Sequence, residues 1–160
     1  MGAAINNFFD AVKIVPIASY ASAATDRTSE VIDCLGCEAV RIMIQHVVVH
    51  DSATFTVKLQ HADAASDQTT LTSGADVTSS SQTVAAADDN KVRYIDFIPT
   101  KRYYQVVFDK DATNACSESA VALLYMNTRP ITNVGGTSTI GDGTAAVTGE
   151  FLGAATSGTA

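Results

Sequence analysis

The chain of 160 residues has no tryptophan, only three prolines, and few charged residues, at 17% of the total. No apolar run approaches the roughly 20 residues that a membrane-spanning helix requires, so the sequence predicts no membrane partner. Basic residues are also scarce, since 10 Lys and Arg stand against 17 Asp and Glu, for a net charge of −7. Binding to phosphates requires a basic surface, so this balance argues against nucleic acid and favours a partner with a basic patch.

Cysteine is also rare. Three cysteines are an odd number and too few for a disulfide framework in a chain of this size, so we expect reduced thiols and assembly in the cytoplasm. Cys34 and Cys37 have the CxxC spacing of zinc and thiol-redox sites. Zinc needs four ligands, and the sequence contains no second CxxC pair to complete such a site. A redox-active CxxC pair stands at the start of a helix, whereas the sequence after Cys37 is strand-like. We therefore expect a turn with two buried thiols and no metal or other cofactor.

The periodicity from residue 13 to 126 is that of β-strands. The clearest case is 54–61, where Phe55, Val57 and Leu59 alternate with polar residues. In the segment 39–49, Val40, Ile42 and Ile44 share one face, and the run 47–49 predicts burial on both faces near its end. His50-Asp51-Ser52 between the two segments predicts the turn of a hairpin.

Further strands are predicted from Val, Ile, Tyr, Phe and Thr content at 13–20, 28–34, 82–86, 91–98, 103–109 and 119–127. Turn residues separate them, and 62–81 has the composition of a long loop with one small strand. Seven to eight such strands predict an all-β chain with one domain, a β-sandwich or jelly-roll-like body at 13–131. No long amphipathic helix is indicated.

The ends of the chain have a different character. The segment 132–160 is rich in Gly, Thr and Ala and contains no Lys or Arg. It buries too little apolar surface to order itself, so we predict an extended C-terminal arm held by a partner. Segment 1–12 is predicted as a second arm. Apolar residues spaced along the arms are the predicted contacts with that partner: Ile5, Phe8, Phe9, Ile140, Val147, Phe151 and Leu152.

No catalytic constellation is apparent. His46, His50 and His61 are the only imidazoles, and His50-Asp51-Ser52 holds the residue types of a hydrolase triad but cannot form that relay from consecutive side chains. The stretches 88–90 and 109–111 offer oxygen ligands but match no calcium motif, which favours solvated turns. The chain is therefore predicted not to be an enzyme.

One basic concentration stands out against the acidic background. Lys91, Arg93, Lys101 and Arg102 flank Tyr94, Tyr103 and Tyr104. This mixture is open to three interpretations: a stacking surface for nucleic acid or sugar, a rim that contacts an acidic partner, or a plain solvated edge.

The block 39–131 resembles small virion proteins encoded among the head genes of tailed bacteriophages. The segments that carry the resemblance are FTVKLQHAD at 55–63, ADV at 75–77, KRYYQVVF at 101–108, SAVALL at 119–124 and RPI at 129–131. The resemblance implies a capsid decoration, or cement, protein with a β-sandwich body that binds the outside of the shell, often as trimers.

The combined expectation is a structural virion protein on the capsid surface, assembled in the host cytoplasm. Its partners would be the major capsid protein and further copies of itself, in a homotrimer. Two alternatives remain open at this point. One is a head–tail connector or tail component, and the other is a carbohydrate-binding module for host attachment that stacks sugars on Tyr94, Tyr103 or Tyr104. The absence of tryptophan weakens the second alternative.

Overall fold

The computed structural model describes residues 12–49, 54–125 and 147–154, with Thr54 and the last segment described as backbone only. It confirms the predicted all-β sandwich. The strands are β1 (Val12–Ala23), β2 (Arg27–Thr28), β3 (Ile32–Asp33), β4 (Ala39–Val49), β5 (Thr54–Ala62), β6 (Ala64–Ala65), β7 (Leu71–Thr72), β8 (Ala75–Asp76), β9 (Gln82–Ala85), β10 (Lys91–Ile98), β11 (Tyr103–Asp109), β12 (Cys116–Tyr125) and β13 (Val147–Ala154). The described residues contain no α-helix, only a 3-10 turn at Ala86–Asp88.

Two sheets make up the sandwich. The first has five strands in the order β1-β12-β4-β10-β13, and every pairing in it is antiparallel except the parallel pair β10–β13. The second has the order β2-β11-β5-β8, with β3 on β11 and β9 on β5. β6 and β7 form a separate small ribbon.

The core lies between the facing sides of the two sheets. Alternate residues of a strand point to opposite faces, so Val40, Ile42 and Ile44 of β4 enter the core together, and each is fully buried. Phe55, Val57 and Leu59 of β5 meet them from the other sheet in one hydrophobic cluster. The alternation that the sequence shows in these two strands is therefore the alternation of the folded sandwich.

Tyr104 of β11 anchors one end of this core. Its ring lies 4.6 Å from the ring of Phe97, and its hydroxyl accepts hydrogen bonds from the Thr100 and Lys101 N–H groups. A buried tyrosine usually keeps its hydroxyl paired in this way.

The predicted hairpin of 39–49 and 54–61 is wrong. β4 belongs to the five-stranded sheet and β5 to the six-stranded one, so the chain crosses between sheets instead of turning back beside itself. Residues 50–53 lie outside the described residues. Both strands carry an apolar face, and these faces bury each other because the strands lie on opposite sides of the core.

The expected burial of 47–49 on both faces is also wrong, because β4 contains a bulge. Ser117 of β12 lies opposite Val48 and Glu118 lies opposite His46, which leaves Val47 without a partner residue. The extra residue resets the alternation. Val49 is therefore buried and Val48 is 51% exposed.

Smaller differences concern strand bounds. The predicted strand 28–34 is two short strands, β2 and β3, both on the edge of β11. β12 begins at Cys116, earlier than predicted, and the predicted loop 62–81 contains three two-residue strands. β1 begins at Val12, the residue assigned to the N-terminal arm.

Candidate functional site

The side of the five-stranded sheet that faces away from the core is apolar, and we call it the outer face. Residues opposite each other in an antiparallel pair share a face, which places Pro16, Val121 and Met43 in one row across β1, β12 and β4. Ile14 and Leu123 form the next row. The apolar residues that define the outer face are Ile14, Pro16, Met43, Val92, Val121 and Leu123. All six are half-buried or exposed.

A shallow depression of about 140 Å³ lies on the outer face. Its lining residues are Met43, Gln45, Val92, Ser119, Ala120 and Val121. Pockets that enclose small-molecule ligands are usually 300 Å³ or larger, so this depression suits one side chain of a partner better than a metabolite.

An ion pair borders the outer face on the β10 side. The Arg41 guanidinium donates to both carboxylate oxygens of Asp96 at 2.6 Å, and it lies 4.8 Å from the centre of the Tyr94 ring. The hydrogen bonds with Asp96 raise the pKa of Arg41 above its ordinary value. The charge of this pair is internally neutralised, so it leaves the outer face without a net charge at that point.

The six-stranded sheet presents a different surface to solvent. Its outward residues on β5 are Thr56, Lys58 and Gln60, and both Lys58 and Gln60 hydrogen-bond to Asp76 of β8. Thr83 of β9 is exposed on the same side. This is the usual antiparallel pattern, with apolar residues inside and polar residues outside. The outer face of the five-stranded sheet departs from it.

The predicted basic concentration does not exist as a patch. Lys91 and Arg93 lie at one end of β10 and pair with Asp88, whereas Lys101 and Arg102 follow the other end and pair with Asp63 and Asp33. Arg41, Lys58, Arg27 and Lys110 are also within ion-pair distance of carboxylates. These eight cations all lie beside carboxylates, although Asp88 and Glu118 each serve two of them, and carboxylates such as Glu30, Glu38 and Asp67 supply the excess negative charge.

The tyrosines of that segment do not form a stacking surface. Tyr94 and Tyr104 are 6% and 0% exposed, and Tyr103 lies under the Arg102 guanidinium, 4.8 Å from it. A sugar or base cannot stack on rings that are buried or already covered. The sequence does not reveal this, because strand alternation at 103–108 leaves both faces rich in large residues.

The interior contains three charged residues and a histidine at one end, which we call the charged end: Arg27, Lys110, Glu118 and His46. Glu118 is completely buried, and its carboxylate oxygens lie 3.0 and 2.9 Å from the Lys110 ammonium and 3.3 Å from the Arg27 guanidinium. Lys110 also donates to the carbonyls of Ala23 and Cys116. The expectation of a solvated turn at 109–111 is therefore wrong for Lys110, which is 7% exposed.

His46 lies directly opposite Glu118 on the neighbouring strand and is fully enclosed. Its ring packs edge-on against Phe55 at 5.7 Å, and neither ring nitrogen has a hydrogen-bond partner. Burial, together with the nearby Arg93 charge, lowers the pKa of His46 to about 4. The imidazole is consequently neutral at physiological pH, as a strand-face residue in a core would be.

Asp88 is also more buried than a solvated turn would allow. It accepts hydrogen bonds from the Ala85 N–H at 2.9 Å and from Arg93 at 2.8 Å. Burial alone would raise the pKa of Asp88, but these two hydrogen bonds lower it. The carboxylate is therefore held by the fold and is not available as a calcium ligand. The neighbouring Asp89 accepts the Val49 N–H.

The CxxC segment is a tight turn. The Cys37 N–H donates to the Cys34 carbonyl at 3.0 Å, and Gly36 has a φ of 77°, which a residue without a side chain adopts at no steric cost. Burial raises the pKa of both thiols, the opposite of what a reactive thiolate needs. Cys34 is buried as expected, whereas Cys37 is only partly so.

The structure describes only some of the residues that are predicted to contact a partner through the arms. Ile5, Phe8, Phe9 and Ile140 lie outside the described residues. Val147, Phe151 and Leu152 fall in β13, which is described as backbone and pairs with β10 of the same chain. Their role as partner contacts stays a prediction.

None of the described His, Cys, Asp and Glu residues form a group of three or more that could hold a metal ion. No helix within the described ranges is both long and apolar enough to cross a membrane.

The sequence matches no protein-family model, and a search of curated proteins finds no significant relative.

Proposed function

We propose that this protein is a non-enzymatic structural virion protein that binds the outer surface of a tailed-bacteriophage capsid and cements neighbouring capsid subunits. The observation that carries the proposal is the outer face. A run of half-buried and exposed apolar residues crosses β1, β12, β4 and β10, while the other sheet is polar on its solvent side. A contiguous apolar surface of this kind is typical of a protein–protein contact.

The distribution of charge supports a protein partner. Eight cations are taken up in ion pairs within the domain, and the net charge of the chain is −7. Such a surface repels phosphates and complements a basic rim around an apolar patch. The resemblance of 39–131 to phage decoration proteins adds the class of partner, the major capsid protein.

The proposed mechanism is mechanical. The domain docks by its outer face, and the terminal segments add weak contacts on neighbouring subunits. Tethering to a docked domain gives each terminal segment a high effective concentration, so several modest contacts hold together subunits that none would hold alone. In this proposal the protein forms a homotrimer on the virion surface after assembly in the host cytoplasm.

Binding to capsids depleted of this protein tests the proposal. Val121→Glu places a charge in the middle of the outer face, and Thr83→Glu places the same charge on the polar face of the other sheet. We expect Val121→Glu to lower capsid occupancy at least tenfold and Thr83→Glu to leave it near that of the unmodified chain. Equal occupancy for the two variants would contradict docking through the outer face.

Deleting residues 133–160 removes β13 together with the rest of the arm and measures their combined contribution. We expect the shortened chain to bind with lower occupancy and to protect capsids less against heat. Imaging of the particle then distinguishes the alternatives. Density spread over the shell supports a cement protein, density at one vertex indicates a connector, and density on fibres indicates host attachment.

A further inference from the structure

The two edges of the five-stranded sheet are closed in different ways. At the β1 edge, Pro16 lacks an N–H group and the pairing register shifts twice between Pro16 and Ala21. Nearby carbonyls are occupied, since Ile17 O accepts the Glu30 N–H at 2.7 Å and Ser19 O accepts Arg27 at 2.6 Å. This edge is therefore closed by the domain itself.

Among the described residues, β13 alone closes the β10 edge. β10 pairs with β4 on one side and with β13 on the other, in register from Val92 opposite Val147 to Asp96 opposite Phe151. β13 is the outermost strand of the sheet and the only one that runs parallel to its neighbour. It reaches the sheet from the far end of the chain, after residues 126–146.

The connection to β13 is much longer than the sheet requires. Tyr125 lies at the end of the sheet where β10 finishes, because it pairs with Ala39, next to Val40, the partner of Phe97. Val147 lies at the opposite end, beside Val92. Crossing three strand spacings and the length of β10 takes about 25 Å. About 20 residues can span roughly 70 Å.

We propose that β13 of one copy completes the sheet of a neighbouring copy by pairing with its β10. The hydrogen bonds are the same whether the strand comes from its own chain or from a second copy, so exchange costs little when the connection is long enough and copies are close. The inference rests on the proposed function, which brings copies side by side on a shell. The partner at this edge is thus a second copy of this chain.

The exchange would couple neighbouring docking sites. β13 continues the row that runs from Met43 through Tyr94 to Gly149, so the contributed strand extends the sheet that carries the outer face. A copy that leaves the capsid must then also withdraw its strand from a neighbour. Coupled contacts of this kind raise the overall binding strength without any new interface.

Cysteine cross-linking between full-length chains tests the exchange. In a background with Cys34, Cys37 and Cys116 changed to alanine, one chain carries Val92→Cys and a second, distinguishable by mass, carries Val147→Cys. Residues in register on adjacent strands are about 4.8 Å apart, within the range that a disulfide bridges. We expect disulfide-linked pairs of the two different chains when the mixture is bound to capsids.

A third chain with both substitutions reports pairing within one copy. Its internal cross-link is expected to dominate in dilute solution and to fall at least severalfold on capsids. Ile98→Cys mixed with Val147→Cys is the matched control, since these positions are about 20 Å apart along the strand and should not link.

The outcomes separate this inference from the proposed function. If the chains bind capsids but cross-link only within single copies, the exchange is wrong and the function stands. The unmodified chain tests the function, which fails if that chain does not bind capsids. If the cysteine chains do not bind, the same mixture in concentrated solution decides the exchange, since linked pairs support it and their absence overturns it. No disulfide in any arrangement would contradict the pairing of β13 with β10 itself.

Discussion

The outer face and the charged end both reverse the usual distribution of residues in a β-sandwich. On the outer face, apolar side chains such as Met43 and Leu123 point away from the core. At the charged end, Lys110 and Glu118 point into it. The two regions differ in what surrounds them: Glu118 has two cations within 3.3 Å, whereas no described element packs over Met43 and Leu123 to bury them fully.

That difference is the basis for treating the charged end as structural and for proposing the outer face as a contact surface. A buried carboxylate is stable only if neighbouring groups neutralise it, and the fold supplies Arg27 and Lys110 for this purpose. Apolar side chains contribute favourable free energy only when another surface covers them and removes them from water. The described part of the domain provides no cover for the outer face, and in the proposed function the capsid supplies it.

The largest effect is expected from removing a cation of the charged end. Lys110→Met leaves the buried Glu118 carboxylate with Arg27 alone at 3.3 Å. Breaking a buried pair typically costs 3–5 kcal/mol, so we expect a loss of about 3 kcal/mol in the free energy of unfolding, measured with denaturant at pH 7. Adding Glu118→Gln should recover part of this loss, because the amide carries no charge to be neutralised.

Lys58→Met is the matched control for that measurement. Lys58 pairs with Asp76 at 3.1 Å on the polar face, where both side chains are substantially exposed. Exposed pairs contribute less than about 1 kcal/mol. Equal losses for Lys110→Met and Lys58→Met would contradict the view that the charged end holds the fold together.

A smaller effect is expected from protonation of His46. Its neighbours are Glu118 on β12, Arg93 and Lys91 on β10, Asp88 in the 3-10 turn, Lys110 after β11, and Phe55 on β5. The folded-state pKa is about 4, below the ordinary value of 6.5. As the pH falls from 6.5, the unfolded chain therefore takes up a proton that the folded chain does not, and the free energy of unfolding decreases.

The expected loss is about 2.5 kcal/mol between pH 7.5 and 4.5, at 1.36 kcal/mol per pKa unit. Denaturant unfolding between pH 7.5 and 4.5 measures it. His46→Leu should remove most of this slope while changing the stability at pH 7 by about 1 kcal/mol or less, since the ring nitrogens form no hydrogen bonds. His61, whose pKa is also lowered by burial, accounts for a residual slope. An unchanged slope in His46→Leu would contradict the assignment.

The sequence predicts strands better than it predicts their pairing. The alternation of β4 and β5 gives their inward faces correctly, because period two is a local property of an extended chain. It does not show that the two strands lie in different sheets, because turn residues at 50–52 suit a hairpin and a crossing equally. The bulge at Val47 likewise depends on the pairing register between β4 and β12, and the residues around Val47 alone do not predict that register.

The charged end is not predicted from the sequence for a related reason. Lys110 lies between two aspartates, which is the composition of a solvated turn, and its partner Glu118 is a carboxylate on the next strand, a residue type that is rarely expected to point inward. One signal was present. Glu118 and His46 continue the inward-facing series of β12 and β4, in which every second residue points to the core. The alternation alone therefore places both side chains inside. The sequence also contains a signal for the outer face, since β12 has apolar residues on both of its sides from Ala120 to Leu124.

The smallest effect is expected where the outer face is made polar. Leu123→Gln and Met43→Gln remove apolar groups that the isolated domain leaves partly exposed, so each should change the free energy of unfolding by no more than about 1 kcal/mol. Ile42→Ala, one residue from Met43 but turned into the core, should cost about 3 kcal/mol by comparison. Binding of a hydrophobic dye to the native protein should decrease in both glutamine variants and not in Lys58→Met. If Leu123→Gln instead destabilised the domain as much as Ile42→Ala, the outer face would be part of the fold's own core, covered within the chain, and the distinction from the charged end would disappear.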